Sequence, residues 1–152
     1  MEGICKRLSP DCILLDLHEQ DKERIIRSLV AALHEEHHLS DPEKLLADIM
    51  EREELSSTCL GCGCAIPHAH SETLSTSLLA AARITPPADL ETPDGQPISL
   101  VFLLVGPSRN TVVHLKLLSK LARLLHDEVF RQQLLASDSA EVFHALICKQ
   151  EA

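Results

Sequence analysis

The hydrophobic pattern of the N-terminal third of the chain predicts one strand followed by two helices. Residues 12–17 form a short apolar run that is typical of a strand. Between residues 18 and 38 the apolar side chains recur at helical spacing and form one core-facing stripe: Ile25, Ile26, Leu29, Val30 and Leu33. Ser40 or Asp41 can cap a second helix, which we expect to run to about Glu54.

The remainder of the chain predicts a sheet with helices packed on it. Residues 55–72 break every periodicity, and residues 76–84 then form an apolar run that indicates a strand. Residues 98–105 are nearly continuously apolar, which is typical of a strand covered on both faces. The helical pattern returns in three segments, residues 111–126, 129–136 and 139–148. We therefore expect an α/β fold: a single domain over residues 1–152, with a mixed parallel and antiparallel sheet flanked by helices on both faces.

Composition and charge exclude several classes of protein. The chain has 152 residues, of which 2% are aromatic, and its net charge is −9. A protein that binds nucleic acid needs positive charge for the phosphates or aromatic side chains for the bases, so we expect no nucleic-acid partner. The N-terminus does not resemble a secretory signal, and the longest apolar runs are too short to cross a bilayer. We expect a cytoplasmic protein without direct membrane insertion, whose six cysteines are reduced thiols.

The nine histidines and six cysteines are the unusual part of this composition, and five of them fall within twelve residues: Cys59, Cys62, Cys64, His68 and His70. Such soft ligands can bind zinc or copper(I), although the spacing is not that of a standard zinc finger. The alternative is a tight loop lined by small residues. A metal-responsive or thiol-responsive role of this cysteine loop stays open, while the main expectation is a site without metal or cofactor.

His68 is the candidate nucleophile. It follows the glycine-containing loop, in the sequence Ala-Ile-Pro-His, at the edge of an apolar segment. An imidazole there can attack a phosphoryl group if one ring nitrogen is unprotonated and faces outward. The alternative is a structural histidine that is hydrogen-bonded to the backbone.

His114 and Arg52 are the candidate partners of His68. His114 shares a helix face with leucines three, four and seven residues later, so we expect it to point inward near a helix N-terminus, where anions are favoured. Arg52 lies near the end of the second helix, where its guanidinium could hold a phosphoryl group with two hydrogen bonds. The alternatives are a core histidine with satisfied hydrogen bonds and a solvated arginine at a helix end.

Two segments resemble the signatures of one family. The first consists of Arg52, Glu53, Leu55, Ser57, Thr58, Gly61, Gly63, Ala65, Ile66, Pro67 and His68. The second consists of residues 101–104, Gly106, Pro107, residues 114–118 and residues 121–125. Together they resemble the enzyme IIA domains of the fructose–mannitol and nitrogen-regulatory class (type 2) of the phosphoenolpyruvate-dependent phosphotransferase system. The resemblance covers nearly the whole chain.

The resemblance implies a function and a set of site residues. His68 would be the phosphorylated histidine, with Arg52 and His114 as companions that hold the phosphoryl group. The donor would be the histidine phosphocarrier protein HPr. Sugar-specific members pass the group on to a cysteine of a IIB domain, whereas nitrogen-type members act mainly as regulators of other proteins. The family's active site contains no metal.

The loop before His68 departs from the family pattern. Cys62 stands where the family has a polar, asparagine-like residue, and a thiol donates hydrogen bonds poorly. We expect loop N–H groups to contact the phosphoryl group together with Arg52 and His114, and an acceptor to hold the second ring nitrogen of His68. The chain shows no IIB or membrane unit beside this domain, which favours the nitrogen-regulatory type. The oligomeric state and the regulated target stay open.

Overall fold

The computed structural model describes residues 3–55, 57–109 and 111–152. The strands are β1 (Leu8–Leu17), β2 (Cys59–Gly61), β3 (Cys64–Ala65), β4 (His68–Ser71), β5 (Leu78–Ala88) and β6 (Ile98–Pro107). The helices are α1 (Ile4–Arg7), α2 (Lys22–His37), α3 (Pro42–Leu55), α4 (Thr111–His126), α5 (Glu128–Ala136) and α6 (Ala140–Glu151).

All six strands belong to one mixed sheet. The strand order is β1-β5-β6-β3-β2, and β4 pairs with the same strand β6 further along. The pairs β1–β5, β3–β6 and β4–β6 are parallel, whereas β5–β6 and β2–β3 are antiparallel. This confirms the predicted mixed sheet and places β6 at its centre, where it holds three other strands.

Strand β6 is covered on both faces, as its apolar sequence predicts. Its residues from Leu100 to Gly106 are all buried, although neighbouring side chains of a strand point to opposite faces. The helices form two groups, with α2 packed on α3, and α5 packed on both α4 and α6. The Phe102 ring of β6 stacks on Phe143 of α6, with 5.9 Å between ring centroids. The sheet therefore lies between helices, and the predicted α/β fold is confirmed.

Short polar side chains begin the helices as expected. The Asp41 carboxylate accepts a hydrogen bond from the backbone N–H of Lys44 at the start of α3. Asp21 and Ser139 accept equivalent bonds at α2 and α6. The helix predicted between residues 18 and 38 begins only at Lys22, so the segment from residue 18 to Asp21 lies outside α2 and leads into it.

The segment from residue 55 to 72 differs from the prediction. It contains β2, β3 and β4, none longer than four residues. Strands this short carry no readable alternation, and hydrogen bonds to β6 and between β2 and β3 define them. His68 therefore lies at the start of a strand and not in a loop.

The expectation that all six cysteines are free thiols is wrong for two of them. Cys5 and Cys148 form a disulfide between α1 and α6, whereas Cys12, Cys59, Cys62 and Cys64 are free. The two bonded residues are 143 positions apart in the sequence, so only the fold brings them together. None of the helices in the described parts of the chain combines the length and the apolar character needed to cross a membrane.

Candidate active site

Strand pairing positions His68. It is the first residue of β4, and its partner on the parallel strand β6 is Leu104. The backbone N–H of Leu104 donates to the carbonyl of Pro67 at 3.0 Å, which fixes the chain immediately before the histidine. The imidazole is half-buried at the edge of the sheet, beside α3, which packs on β4.

One ring nitrogen of His68 is occupied and the other faces Arg52. Nδ1 lies 2.7 Å from the backbone carbonyl oxygen of Ile66, and a carbonyl can only accept, so Nδ1 carries the proton. Nε2 then presents its lone pair and lies 3.3 Å from Nη2 of Arg52. Burial, with the positive charge of Arg52, lowers the pKa of His68, while the bond to Ile66 opposes the shift. The lowered pKa favours the neutral imidazole.

Helix α3 holds Arg52 through its neighbour Glu53. The buried Glu53 carboxylate accepts a hydrogen bond from Lys22 Nζ at 3.1 Å and a short one from the Thr58 hydroxyl. These bonds tie the last turn of α3 to α2 and to the segment that leads into β2. Arg52 lies in this fixed last turn, and its guanidinium reaches His68 from there.

His114 is buried beside His68, as its helical position predicts. It lies in the first turns of α4, its residue is 2% exposed, and its ring centroid is 5.9 Å from that of His68. Gly106 makes room for it, because a Cβ there would lie 3.3 Å from Nδ1 of His114. Neither ring nitrogen of His114 has a hydrogen-bond partner among the described residues. Burial, with the charges of His70 and His68, lowers the pKa of His114 to about 4.

His70 also lies at this site, although the sequence analysis named it only as a possible metal ligand. It lies two positions after His68 on β4, and alternate residues of a strand share a face. Its ring centroid is 4.2 Å from that of His114, so the His70 ring lies closer to His114 than the His68 ring does. The spacing of two between the histidines would have revealed this role if residues 68–71 had been read as a strand.

These side chains open into one cleft with a volume of about 390 Å³, lined by Asp48, Glu51, Arg52, Leu55, His68, Ala69, His70, His114, Leu115 and Leu118. Leu55 and Leu115 are large apolar side chains at its rim that are 80% and 61% exposed. The cleft therefore combines a nucleophile, a cation and an uncommitted buried imidazole inside an apolar rim. This set of groups can bind an anion and attack an electrophile held there.

The cysteine-containing turn does not take part in this cleft. Cys64 pairs with Leu100 of β6, whereas His68 pairs with Leu104, so the two are separated by four residues, or about 13 Å, along the sheet. The N–H of Cys62 donates to the Asp94 carboxylate at 2.8 Å. Asp94 thus occupies the N–H of Cys62, and residues 59–64 do not line the cleft, which disfavours the predicted contact between loop N–H groups and a phosphoryl group at His68.

The structure also does not gather the five possible soft ligands into one group. Within residues 3–55, 57–109 and 111–152, three ligand atoms close enough to share a metal ion occur at Cys5, His144 and Cys148. Cys59, Cys62 and Cys64 do not form such a group with His68 and His70, because strand pairing spreads them along β6.

Comparison with known proteins decides the family. Residues 6–149 match the family model described as "Phosphoenolpyruvate-dependent sugar phosphotransferase system, EIIA 2". The chain belongs to this family of type-2 enzyme IIA domains. Membership makes it a phosphoryl carrier of the phosphotransferase system and confirms the family identified from the two sequence segments.

Relatives of two kinds are similar to this enzyme IIA domain. A nitrogen regulatory protein of Bradyrhizobium diazoefficiens is 34% identical over 141 residues, which cover 92% of this chain and 91% of the relative. The fructose-specific EIIABC component of Bacillus subtilis is 34% identical over 144 residues, 95% of this chain and 23% of that protein. The crystal structure of the nitrogen regulatory protein IIA-Ntr from Neisseria meningitidis has a TM-score of 0.87 at 34% identity, covering 94% of this chain and 97% of that one.

Proposed function

We propose that this enzyme IIA accepts a phosphoryl group on Nε2 of His68 from an HPr-like phosphocarrier protein in the cytoplasm. The observation that carries the proposal is the hydrogen bond from Nδ1 to the carbonyl of Ile66, which leaves Nε2 unprotonated and facing the cleft. In the transfer, the bond between phosphorus and the donor's histidine breaks as the bond to Nε2 forms. The leaving group is the donor imidazole, and no proton has to leave Nε2.

Arg52 and His114 have the chemistry to stabilise the transferred group. A guanidinium 3.3 Å from Nε2 is placed to donate hydrogen bonds to phosphoryl oxygens, which carry the charge in the transition state. A neutral imidazole keeps one N–H, and that of His114 is not used elsewhere among the described residues. His114 thus offers a donor to the phosphoryl oxygens without adding a second positive charge beside His68.

His70 acts in this proposal as a positioning residue. Its ring lies against the His114 ring, at 4.2 Å between centroids, and so limits the orientations that His114 can adopt. It is itself exposed at the cleft. A phosphoryl donor bound over the cleft would cover His70 and complete the enclosure of His114.

The apolar rim is the surface on which we expect the partner protein to dock. Leu55 on α3 and Leu115 on α4 flank the cleft and are both largely exposed. Removing such side chains from water on contact stabilises a complex and excludes water from the transfer. The net charge of −9 favours a partner that presents a basic face.

We further propose that residues 1–152 form one domain of the nitrogen-regulatory type. A nitrogen regulatory protein and the solved IIA-Ntr structure are both 34% identical to this chain, and the latter superposes with a TM-score of 0.87. The alternative is a sugar-specific IIA that passes phosphate to a IIB cysteine, supported by the 34% identity to a fructose-specific component.

The test is incubation with phosphoenolpyruvate, enzyme I and HPr, followed by intact mass measurement. The wild-type chain should gain one phosphoryl group, and His68→Ala should gain none on the same timescale. His37→Ala, an exposed histidine at the end of α2, is the matched control and should react as wild type does. Uptake by His68→Ala at the wild-type rate would refute the assignment.

A second arm of this experiment distinguishes the nitrogen-regulatory type from the sugar-specific type. Purified IIB domains are added to the phosphorylated chain, and the loss of its phosphoryl mass is followed. Retention of the group in the presence of IIB supports the regulatory type. Rapid transfer to a IIB cysteine would establish the sugar-specific alternative instead.

A further inference from the structure

A second cluster of reactive side chains lies at the junction of the chain termini. Cys5 on α1 is bonded to Cys148 on α6, and His144 lies one helical turn before Cys148. The Nδ1 and Nε2 atoms of His144 lie 3.9 and 3.6 Å from Sγ of Cys148. The Nε2 atom is also 2.8 Å from the carbonyl oxygen of Cys5, to which it donates. We call these three residues the terminal clasp.

The clasp differs from the buried thiols of the chain. Burial raises the pKa of Cys12 to about 11 and that of Cys64 to about 12, so these thiols hold their protons and react slowly. Cys5, His144 and Cys148 are all partly exposed, and reagents can therefore reach them. An imidazole beside a thiol can accept its proton and stabilise the thiolate, which is the reactive form.

We propose that the terminal clasp is a redox-reversible dithiol–disulfide site whose exchange with small disulfides His144 promotes. This site is separate from the cleft at His68 and does not depend on the function proposed there. The chemical class of its reaction partner is a low-molecular-weight thiol and its disulfide, such as glutathione.

The reaction balances in two exchange steps. The Cys148 thiolate, after its proton passes to His144, attacks one sulfur of the small disulfide, and one small thiolate leaves. The Cys5 thiolate then attacks Sγ of the mixed disulfide on Cys148, and the second small thiolate leaves. Two protein thiols become one disulfide, one small disulfide becomes two thiols, and the two released protons end on those thiols.

Contacts that do not involve sulfur hold the two helices together. The Glu151 carboxylate on α6 accepts hydrogen bonds from the backbone N–H groups of Ile4 and Cys5 at 2.6 and 2.8 Å. It also pairs with Lys120 of α4 at 3.3 Å. The reduced chain therefore keeps both thiols adjacent, and ring closure needs no rearrangement of the fold.

We expect the disulfide to raise the stability of the fold and to leave phosphoryl acceptance unchanged. It joins residues 143 positions apart and so restricts the unfolded chain strongly. The melting temperature of the oxidised protein should exceed that of the reduced protein by roughly 5 to 15 °C. Phosphoryl acceptance should be the same in both states, because the clasp residues do not line the His68 cleft.

The test uses the full chain equilibrated in glutathione buffers from fully reduced to fully oxidised. After an acid quench, denaturation and alkylation, mass spectrometry counts free thiols. We expect six alkylated cysteines at the reducing end, while at the oxidising end peptide mapping should show the Cys5–Cys148 link without glutathione on either residue, and accessible free thiols such as Cys62 can carry glutathione. Six at both ends, or a link through other cysteines, would overturn the proposal.

Variants separate the roles of the residues. Cys5→Ser should abolish the redox-dependent melting temperature, whereas Cys62→Ser should leave it intact. His144→Gln should form the same disulfide roughly tenfold more slowly in oxidised glutathione, with a shifted pH dependence of the rate. If His144→Gln formed the Cys5–Cys148 disulfide at the wild-type rate and with the wild-type pH profile, the role of His144 would be refuted.

Discussion

The Gly61–Gly63 turn and the His68 cleft come from one stretch of chain, and yet they use their polar groups in opposite ways. In the turn, three consecutive residues have positive φ, and the Asp94 carboxylate accepts from the N–H groups of Cys62 and Gln96. In the cleft, His114 is buried without a partner among the described residues, and Nε2 of His68 keeps its lone pair. In the turn the N–H of Cys62 is already bonded to Asp94, whereas the cleft leaves hydrogen-bonding groups available.

This difference shows which feature marks a functional site. The turn has more residues of the types that can bind metal or react, with three cysteines within residues 59–64. The described residues that line the cleft include no cysteine, but the histidines and Arg52 face one another there. A buried imidazole without a hydrogen-bond partner costs free energy unless a ligand or a partner protein bonds to it. Unpaired hydrogen-bonding groups, where strands and helices meet, are therefore a better indicator of a functional site than residue types alone.

Among the residues around His68, Arg52 provides the largest expected effect. Arg52→Gln removes the cation 3.3 Å from Nε2, and we expect phosphoryl acceptance to slow by about 100-fold to 1000-fold. Arg52→Lys keeps the charge without the planar fork and should lose about tenfold. Quench-flow rates with phosphorylated HPr measure both, with exposed Arg24→Gln as the control. If the glutamine variant reacted within twofold of wild type, Arg52 would not contact the transferred group.

His114 links the cleft to the pH dependence of stability. Its pKa is about 4 in the folded chain, against about 6.5 when unfolded, so between these values the unfolded chain binds more protons. The contribution of His114 to the free energy of unfolding is complete above pH 6.5 and is lost as the pH falls toward 4. On lowering the pH from 7.5 to 5, wild type should lose about 2 kcal/mol more than His114→Gln.

Urea denaturation at the two pH values measures this difference. The lowered pKa of His68 adds to the pH dependence of stability in both wild type and His114→Gln, so it cancels in this comparison. His126 is an exposed histidine on the same helix as His114. His126→Gln, as the control, should keep the wild-type dependence on pH. Equal losses in wild type and His114→Gln would mean that His114 is protonated or hydrogen-bonded in the folded chain.

The turn provides the smallest expected effect and the sharpest contrast. Cys62 has a φ of 57°, a conformation that β-branched residues avoid. Cys62→Val should lower the free energy of unfolding by about 1 kcal/mol, whereas Cys62→Gly should not. Both variants should accept phosphoryl groups within about twofold of the wild-type rate. A large loss of acceptance in both, at unchanged stability, would place the turn in the active site after all.

The long elements were predictable because local pattern and tertiary packing agree there. Strand β6 is nearly continuously apolar and buried on both faces, and the buried leucines of α4 (Leu117, Leu121 and Leu125) follow one face. Strands β2 to β4 were not predictable from local pattern. Strands β3 and β4 are hydrogen-bonded to the distant strand β6, and β2 is hydrogen-bonded to β3. The Cys5–Cys148 pair depends likewise on the docking of the two chain ends.

The site was predictable in part for the same reason. Helical spacing places His114 inward, and its burial follows from that. The proximity of Arg52, His68 and His114 followed from the family resemblance, and the geometry brings the three together as expected. His70 was missed because its position depends on β4 being a strand, and the role of Asp94 depends on a contact across 32 residues.

The position of the phosphoryl group on His68 tests the central claim most directly. The chain, labelled with ¹⁵N in its histidines, is phosphorylated by phosphoenolpyruvate, enzyme I and HPr, and coupling between phosphorus and nitrogen is measured by NMR. Because Nδ1 of His68 donates to the carbonyl of Ile66, we predict coupling to Nε2 of His68. Coupling to Nδ1 or to another histidine, or phosphate on a cysteine, would contradict this account.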